Sequence, residues 1–178
     1  MTYHHGNLRQ ALLTDAAALV AEQGPEKLSL RALAARAGVS HAAPAHHFGD
    51  RSGLFTALAA EGFDLLADAL EPHRDDLLEQ AVAYVEFALA HRGHFAAMYE
   101  PTLVHADDPA LAAARARARA ALQSGLATVS SGDDADRTAA FSLVHGFATL
   151  WLAGALADDV RRQDPADVTR RMASRLFG

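Results

Sequence analysis

Ser29–Arg51, SLRALAARAGVSHAAPAHHFGDR, reads as two short helices around a tight turn. Ser29 brings a side chain suited to capping a helix start, and Leu30, Leu33, Ala34 and Ala37 recur on one helical face. Gly38 stands where a helix stops in the left-handed conformation, with Val39 expected as the buried pivot of the turn. Ser40 is expected to cap a second helix ending near Phe48, and Gly49-Asp50 to open the next. Two helices joined in this way form a unit that lays its second helix in the major groove of DNA, where its first residues meet base edges. Helical hairpins with a central glycine also occur without nucleic acid, so the flanking sequence decides.

Pro44 falls inside the second helix. Counted from Ser40 as cap it is the fourth helical residue, so its missing N–H costs one weak end bond and the helix survives.

Composition narrows the function classes. The 178 residues hold no cysteine, which excludes disulfide and thiol chemistry and fits a reducing cytoplasm. No apolar stretch follows a basic start, so no secretory signal is expected. Alanine-rich periodic segments separated by Gly and Pro predict an all-α fold. Net charge is −6, unusual for a protein that meets phosphate, but it is unevenly spread. Residues 1–51 carry five basic and four acidic side chains, against 11 and 18 in the remainder, and five of the ten histidines lie in that first part. With so slight a basic excess, non-specific salt-driven affinity should be low, and binding must lean on dimer geometry and base contacts.

Tyr3-His4-His5-Gly6-Asn7-Leu8-Arg9, Gly24-Pro25, Leu28-Ser29-Leu30-Arg31, Ala34-Ala35-Arg36-Ala37-Gly38-Val39-Ser40 and His47-Phe48 resemble the N-terminal domain of TetR-type (tetracycline-repressor-like) transcriptional regulators. The resemblance covers roughly residues 3–60. Farther on, Phe141-Ser142-Leu143-Val144-His145-Gly146 looks like a C-terminal helix motif of one subgroup, with Phe141 where Trp is usual. The resemblance implies an all-helical homodimer with an N-terminal DNA reader and a C-terminal domain for a small ligand and dimerisation. It also places a phosphate-contacting basic residue, usually Lys, at Arg51. One departure is Ala45, which stands where the family usually has a Tyr whose hydroxyl reaches phosphate. Phosphate contacts position and base contacts specify, so this loss weakens binding without shifting register. The candidates for DNA contact are Arg9, Ser29, Arg31, Ser40, His41, Ala42, Ala43, His46, His47 and Arg51.

The first helix is expected over Asn7–Gln23, capped by Asn7 with Gln10 reaching back, and Leu8, Leu12, Ala16, Leu19 and Val20 form its core stripe. A long helix runs from Asp50 to Leu70 with Leu54, Leu58, Leu65, Leu66 and Ala69 on one side. The domain division is set at 1–52 for DNA binding and 53–178 for effector binding and dimerisation. In the latter, helices are expected over Asp75–Arg92, Gly93–Tyr99, Pro109–Val129, Asp134–Ala157 and Pro165–Phe177, with a turn at Ser130–Asp133. Arg115, Arg117 and Arg119 are read as a solvated helical face.

Residues 138–157 contain no charged side chain. Ser142, His145 and Thr149 and the many small residues argue for a soluble helix buried on two sides rather than a membrane span. Its Phe141, Val144, Ala148, Leu152 and Ala155, with Val168, Met172 and Leu176 of the last helix, are the expected dimer interface. Two-fold pairing would set two reader helices about 34 Å apart. Leu66, Tyr84, Phe87, His91, Phe95, Met98, Tyr99, Leu103, His145, Phe147 and Trp151 are the candidate lining of an apolar effector pocket with polar anchors. With no Cys and no HExxH, neither metal nor cofactor is expected, and no nucleophile–base constellation suggests an enzyme. The resulting expectation is a cytoplasmic dimeric repressor that leaves a palindromic double-stranded operator when a small apolar effector binds, with the helix from Asp50 to Leu70 as lever. Its rival is a helical dimer that recognises no DNA.

Overall fold

The computed structural model describes residues 5–126 and 133–177, with side chains over 8–125 and 133–177. Tyr3-His4, the Asn7 side chain and Ser130–Gly132 of the expected turn lie outside the described residues. In chain order the α-helices are α1 (His5–Gln23), α2 (Leu30–Ala37), α3 (Ala42–Phe48), α4 (Arg51–Leu70) and α5 (Leu77–Ala90). Then follow α6 (Arg92–Met98), α7 (Pro109–Leu126), α8 (Asp134–Leu152), α9 (Asp158–Arg161) and α10 (Pro165–Phe177). The described residues contain no strand, so the all-α expectation holds. Short 3₁₀ turns at Pro25–Lys27, Glu71–His73 and Pro101–Leu103 fall where proline interrupts the periodic pattern.

Packing sorts the chain into two compact units, Met1–Phe63 with His91–Arg115, and Asp64–Ala90 with Ala116–Gly178. The first packing unit extends past the expected 52/53 boundary and takes in most of α4 and all of α6.

In the first unit Leu12, Leu13, Ala16, Leu19 and Val20 of α1 meet Leu28, Leu33, Phe48, Leu54, Phe55, Leu58 and Ala97 in one apolar core. Leu8, Leu30, Ala37 and Val39 pack on its margin. Val39 is thus half-buried, less enclosed than the expected pivot. The α1 cap differs from expectation. The helix already starts at His5, and Gln10 reaches not back along α1 but across to the Glu61 carboxylate.

α6 lies close on α1 because Gly93 has no side chain. A Cβ there would stand 2.0 Å from the Ala17 carbonyl oxygen, and backbone cannot yield cheaply. His94, 9% exposed, meets the Glu61 carboxylate of α4 through Nε2 at 2.9 Å, so three helices meet at one polar node.

In the second unit α5 packs on α8 and α10, contributing buried Leu77, Val82, Tyr84, Val85, Phe87 and Ala88. Buried Gln80 donates from Nε2 to the Ala121 carbonyl at 2.7 Å and tethers α7. Glu79 takes a two-pronged contact from Arg170 of α10, at 2.6 and 2.9 Å. Arg117 pairs with Asp64 and Asp68, so the arginine run of α7 is partly bound rather than only solvated.

α8 ends earlier than Ala157. The Ala155 N–H donates to Leu150 O and the Gly154 N–H to Trp151 O, with Gly154 at φ 69°. This left-handed cap stops the helix at Leu152 and leaves Ala155 outside it. The short α9 that follows was not anticipated.

Gly93→Ala is expected to lower unfolding free energy by about 1–3 kcal/mol, the usual cost of forcing an extra methyl into a filled contact. Urea denaturation followed by circular dichroism measures it; a wild-type midpoint would contradict the close α1–α6 approach.

Candidate nucleic-acid interface

Ser29 takes an extended backbone and its Oγ accepts from the Ala32 N–H at 3.1 Å, which starts α2 as expected. Gly38 ends it at φ 64°, and the Val39 N–H donates to Ala34 O at 3.1 Å. Helix α3 begins one position later than expected. Its cap residue is His41 with no side-chain cap bond, while Ser40 offers only its carbonyl, to the Ala43 N–H at 3.0 Å. Pro44 is therefore the third helical residue, where an N–H has no intrahelical partner in any case, so the ring costs no ladder bond. Its side chain is buried, as is Phe48, which inserts into the first unit's core.

With Pro44 and Phe48 turned inward, α3 and its cap turn His41, Ala42, Ala45 and His46 outward. Ala43 and His47 are half-buried at the flanks. Arg9 of α1 lies over the Phe48 ring, 5.3 Å from its centroid, and keeps its guanidinium exposed beside α3. Arg31, at the start of α2, is exposed as well.

Arg51 has a role that the sequence did not disclose. Its Nε donates to Leu28 O at 2.8 Å and a terminal nitrogen to Pro25 O at 2.9 Å, with the guanidinium 4.8 Å from the Phe55 ring centroid. It fastens the Pro25–Leu28 connection to α4 rather than pointing freely to solvent. The N-terminus of α4 is also taken. Asp50 Oδ1 accepts from the Gly53 N–H at 2.8 Å, and that bond holds its carboxyl below the ordinary range. A phosphate at this helix end would face that carboxylate, which opposes the expected Arg51–phosphate contact. Arg36 is likewise engaged, bidentate on Glu22 at 2.8 and 2.9 Å and 3.5 Å from Asp15. Of the five cations in residues 1–51, Arg9, Lys27, Arg31 and Arg36 are exposed, and of these Arg36 is held by carboxylates.

The candidate pocket residues fall into separate groups. In the first unit Phe95 and Phe63 both set their rings edge-on to Tyr99, centroids 5.3 and 5.9 Å apart, and His91 neighbours His94. Met98 backs onto Gly62, and Leu103 packs on the first unit's core. In the second unit the Tyr84 hydroxyl meets His145 Nδ1 at 3.1 Å, Phe141 stacks on the His145 ring at 5.1 Å, and Phe147 meets Trp151 at 5.5 Å. Leu66 and Phe87 are buried in that same unit. No group of three metal-ligating side chains occurs among the described residues, and no helix there is long and apolar enough to cross a membrane.

The expected interface changes too. Val144, Ala148 and Val168 are buried within their own unit and cannot meet a partner. α8 packs on α5 and α10, and the large apolar side chains left exposed are Phe141 and Leu150 of α8 and Leu176 of α10, at 37, 46 and 59%. Leu152 and Met172 are half-buried, and Ala155 is exposed beyond the helix end.

Residues 12–58 match the family of bacterial regulatory proteins called tetR, and residues 77–176 match the tetracyclin repressor-like C-terminal domain. The chain belongs to the TetR family. As such it is a DNA-binding transcriptional regulator and not an enzyme. A 64-residue stretch is 41% identical to the transcriptional repressor AcnR of Corynebacterium glutamicum, over 36% of this chain and 34% of that one. The chain thus spans about a third of the length of that curated relative. Over its whole length it resembles a Rhodococcus sp. RHA1 protein of unknown function, with 37% identity, 99 and 96% coverage and a TM-score of 0.76. A tetR-family transcriptional regulator from Streptomyces coelicolor is 26% identical, with 92 and 77% coverage and a TM-score of 0.65.

Arg51→Met should remove two charge-assisted bonds to carbonyls and cost about 1.5–3 kcal/mol of stability. Thermal unfolding at equal DNA-free conditions tests it, and an unchanged stability would return Arg51 to the solvent-exposed reading.

Acid should weaken both units. His94 foremost, with Gln10, holds the Glu61 carboxyl below its ordinary range, so its contribution is present above that range and fades as pH falls through the folded value. Burial keeps His145 below the ordinary imidazole value. Below about pH 6.5 the unfolded chain then binds a proton that the folded one refuses. Trp151, the sole tryptophan, reports on the second unit. Between pH 7.5 and 5.5 the fluorescence-detected denaturation midpoint should fall, and His145→Gln should flatten that fall. Equal slopes in both proteins would contradict the desolvation of the His145 imidazole.

Proposed function

We propose that this chain is a dimeric transcriptional repressor that grips a palindromic operator through α3 and lets go when a small apolar effector binds. The observation that carries the DNA reading is the division of α3 into an inward face, Pro44 and Phe48, and an outward face, His41, Ala42, Ala45 and His46. All four outward side chains are exposed. Arg9 and Arg31 supply charge for flanking phosphates, with Ser29, Ser40, Ala43 and His47 at the edge of the contact. The repressor sign draws on the AcnR likeness, which extends over a third of that protein.

Dimerisation is assigned to the outward side chains of α8 and α10, Phe141, Leu150 and Leu176, with half-buried Leu152 and Met172 at the margin. Two-fold pairing of subunits makes the operator two-fold as well. The effector reading draws on the aromatic groups around Tyr84, His145, Phe147 and Trp151, where a neutral imidazole and a phenol give polar handles in apolar surroundings. The effector must bind the DNA-incompetent arrangement more tightly, since only that difference shifts the population.

Selection of duplexes from a random pool by the purified full chain tests this function. The expected product is a two-fold sequence, bound with a modest salt dependence. Three exposed cations per subunit that no carboxylate holds, six in a dimer, set a slope of log affinity against log salt no steeper than about −5. His41→Ala and His46→Ala should each weaken that binding. No enriched sequence, or binding indifferent to both substitutions, would overturn the assignment of α3.

A further inference from the structure

The outward face of α3 is unusual in what it lacks. Bases are discriminated in the major groove chiefly by paired hydrogen bonds, from Arg or Lys to guanine, Asn or Gln to adenine, and Asp or Glu to cytosine. None of those six residue types occurs between His41 and Phe48, HAAPAHHF. The side chains turned out are two methyl groups, of Ala42 and Ala45, flanked by the imidazoles of His41 and His46. Spacings of three and four residues put Ala42, Ala45 and His46 side by side, with His41 one turn above Ala45. No side chain longer than an imidazole stands on this face, so the helix backbone can come close to the base edges. Pro44 and Phe48 fix which way the face points.

Only one group on the major-groove edges is apolar, the C5 methyl of thymine. We propose that this protein reads its operator mainly through thymine methyl groups, met by Ala42 and Ala45, with His41 and His46 adding single N–H contacts to neighbouring purines. This rests on the proposed DNA-reading role of α3 and names what that role recognises. Recognition is then of hydrophobic contact and not of bidentate hydrogen bonding. The half-site core must carry thymine at the positions facing the two alanines.

The test uses duplexes selected from a random pool by the full chain, resynthesised with deoxyuridine in place of thymine one position at a time. Deoxyuridine pairs normally and lacks only the methyl. At one or two thymines per half-site, wild-type affinity should drop about fourfold per methyl, the worth of one buried methyl-sized group. In Ala42→Gly or Ala45→Gly that sensitivity should vanish at the matching position, whatever the variant's absolute affinity. Selected half-sites without a common thymine, or affinities unchanged by deoxyuridine throughout, would overturn the proposal while leaving DNA binding intact. Sensitivity retained in both glycine variants would assign the methyl contact elsewhere and overturn it too. Failure to select any sequence would overturn the DNA-reading role and this inference together.

Discussion

A helix of seven residues does not hold itself together in water, because nucleation costs more than so few hydrogen bonds return. α3 exists because Phe48 is driven into the core built by Leu12, Leu33, Leu54 and Leu58. Burying one such ring is worth about 1.5–3 kcal/mol, enough to hold a two-turn element. Pro44 adds a stiff buried surface at the one stretch of helix where a missing N–H costs nothing. Every other property of the reader follows from this anchoring. One face is fixed by packing, and the opposite face is left exposed for the role proposed for it.

The charge economy of the first unit follows the same division. Arg36 and Arg51 are committed to carboxylates and carbonyls that join α1, α2 and α4. Arg9 sits between the two roles, its stem and cation lying over Phe48 while its guanidinium stays exposed. With a net charge of −6 and so few uncommitted cations near α3, the proposed recognition draws on close contact rather than on long-range attraction.

Much of this was legible in the sequence because it rests on local rules. Ser29 and Gly38 bracket α2 as their side-chain and backbone preferences require, and proline marks the start of α7 and α10 and the break after α4. The 3.6-residue stripe of α1 named its core side chains. What the sequence hid depends on partners distant along the chain. Arg51 reads as a surface cation until the carbonyls of Pro25 and Leu28 are placed beside it, 26 and 23 residues away. From residue 138 onward α8 carries no charged side chain, so periodicity alone could not tell which face α5 and α10 would cover. Val144 and Ala148 read as a subunit contact for that reason, yet they are buried within their own unit and Leu150 is exposed. The end of α8 was misjudged because alanine-rich sequence favours continuation, whereas Gly154 takes a left-handed conformation that stops it. In the site itself, the signal for Ser40 as a cap was real but weak. Helix α3 starts one residue later and uses backbone only.

Amide hydrogen exchange of the full chain, with and without a duplex it has selected, bears most directly on the claim that the outward face of α3 is the reader. The account predicts slowed exchange concentrated at residues 40–49 and at the start of α2, with α8 and α10 unchanged. Slowing centred on any other helix, with α3 unaffected, would contradict it.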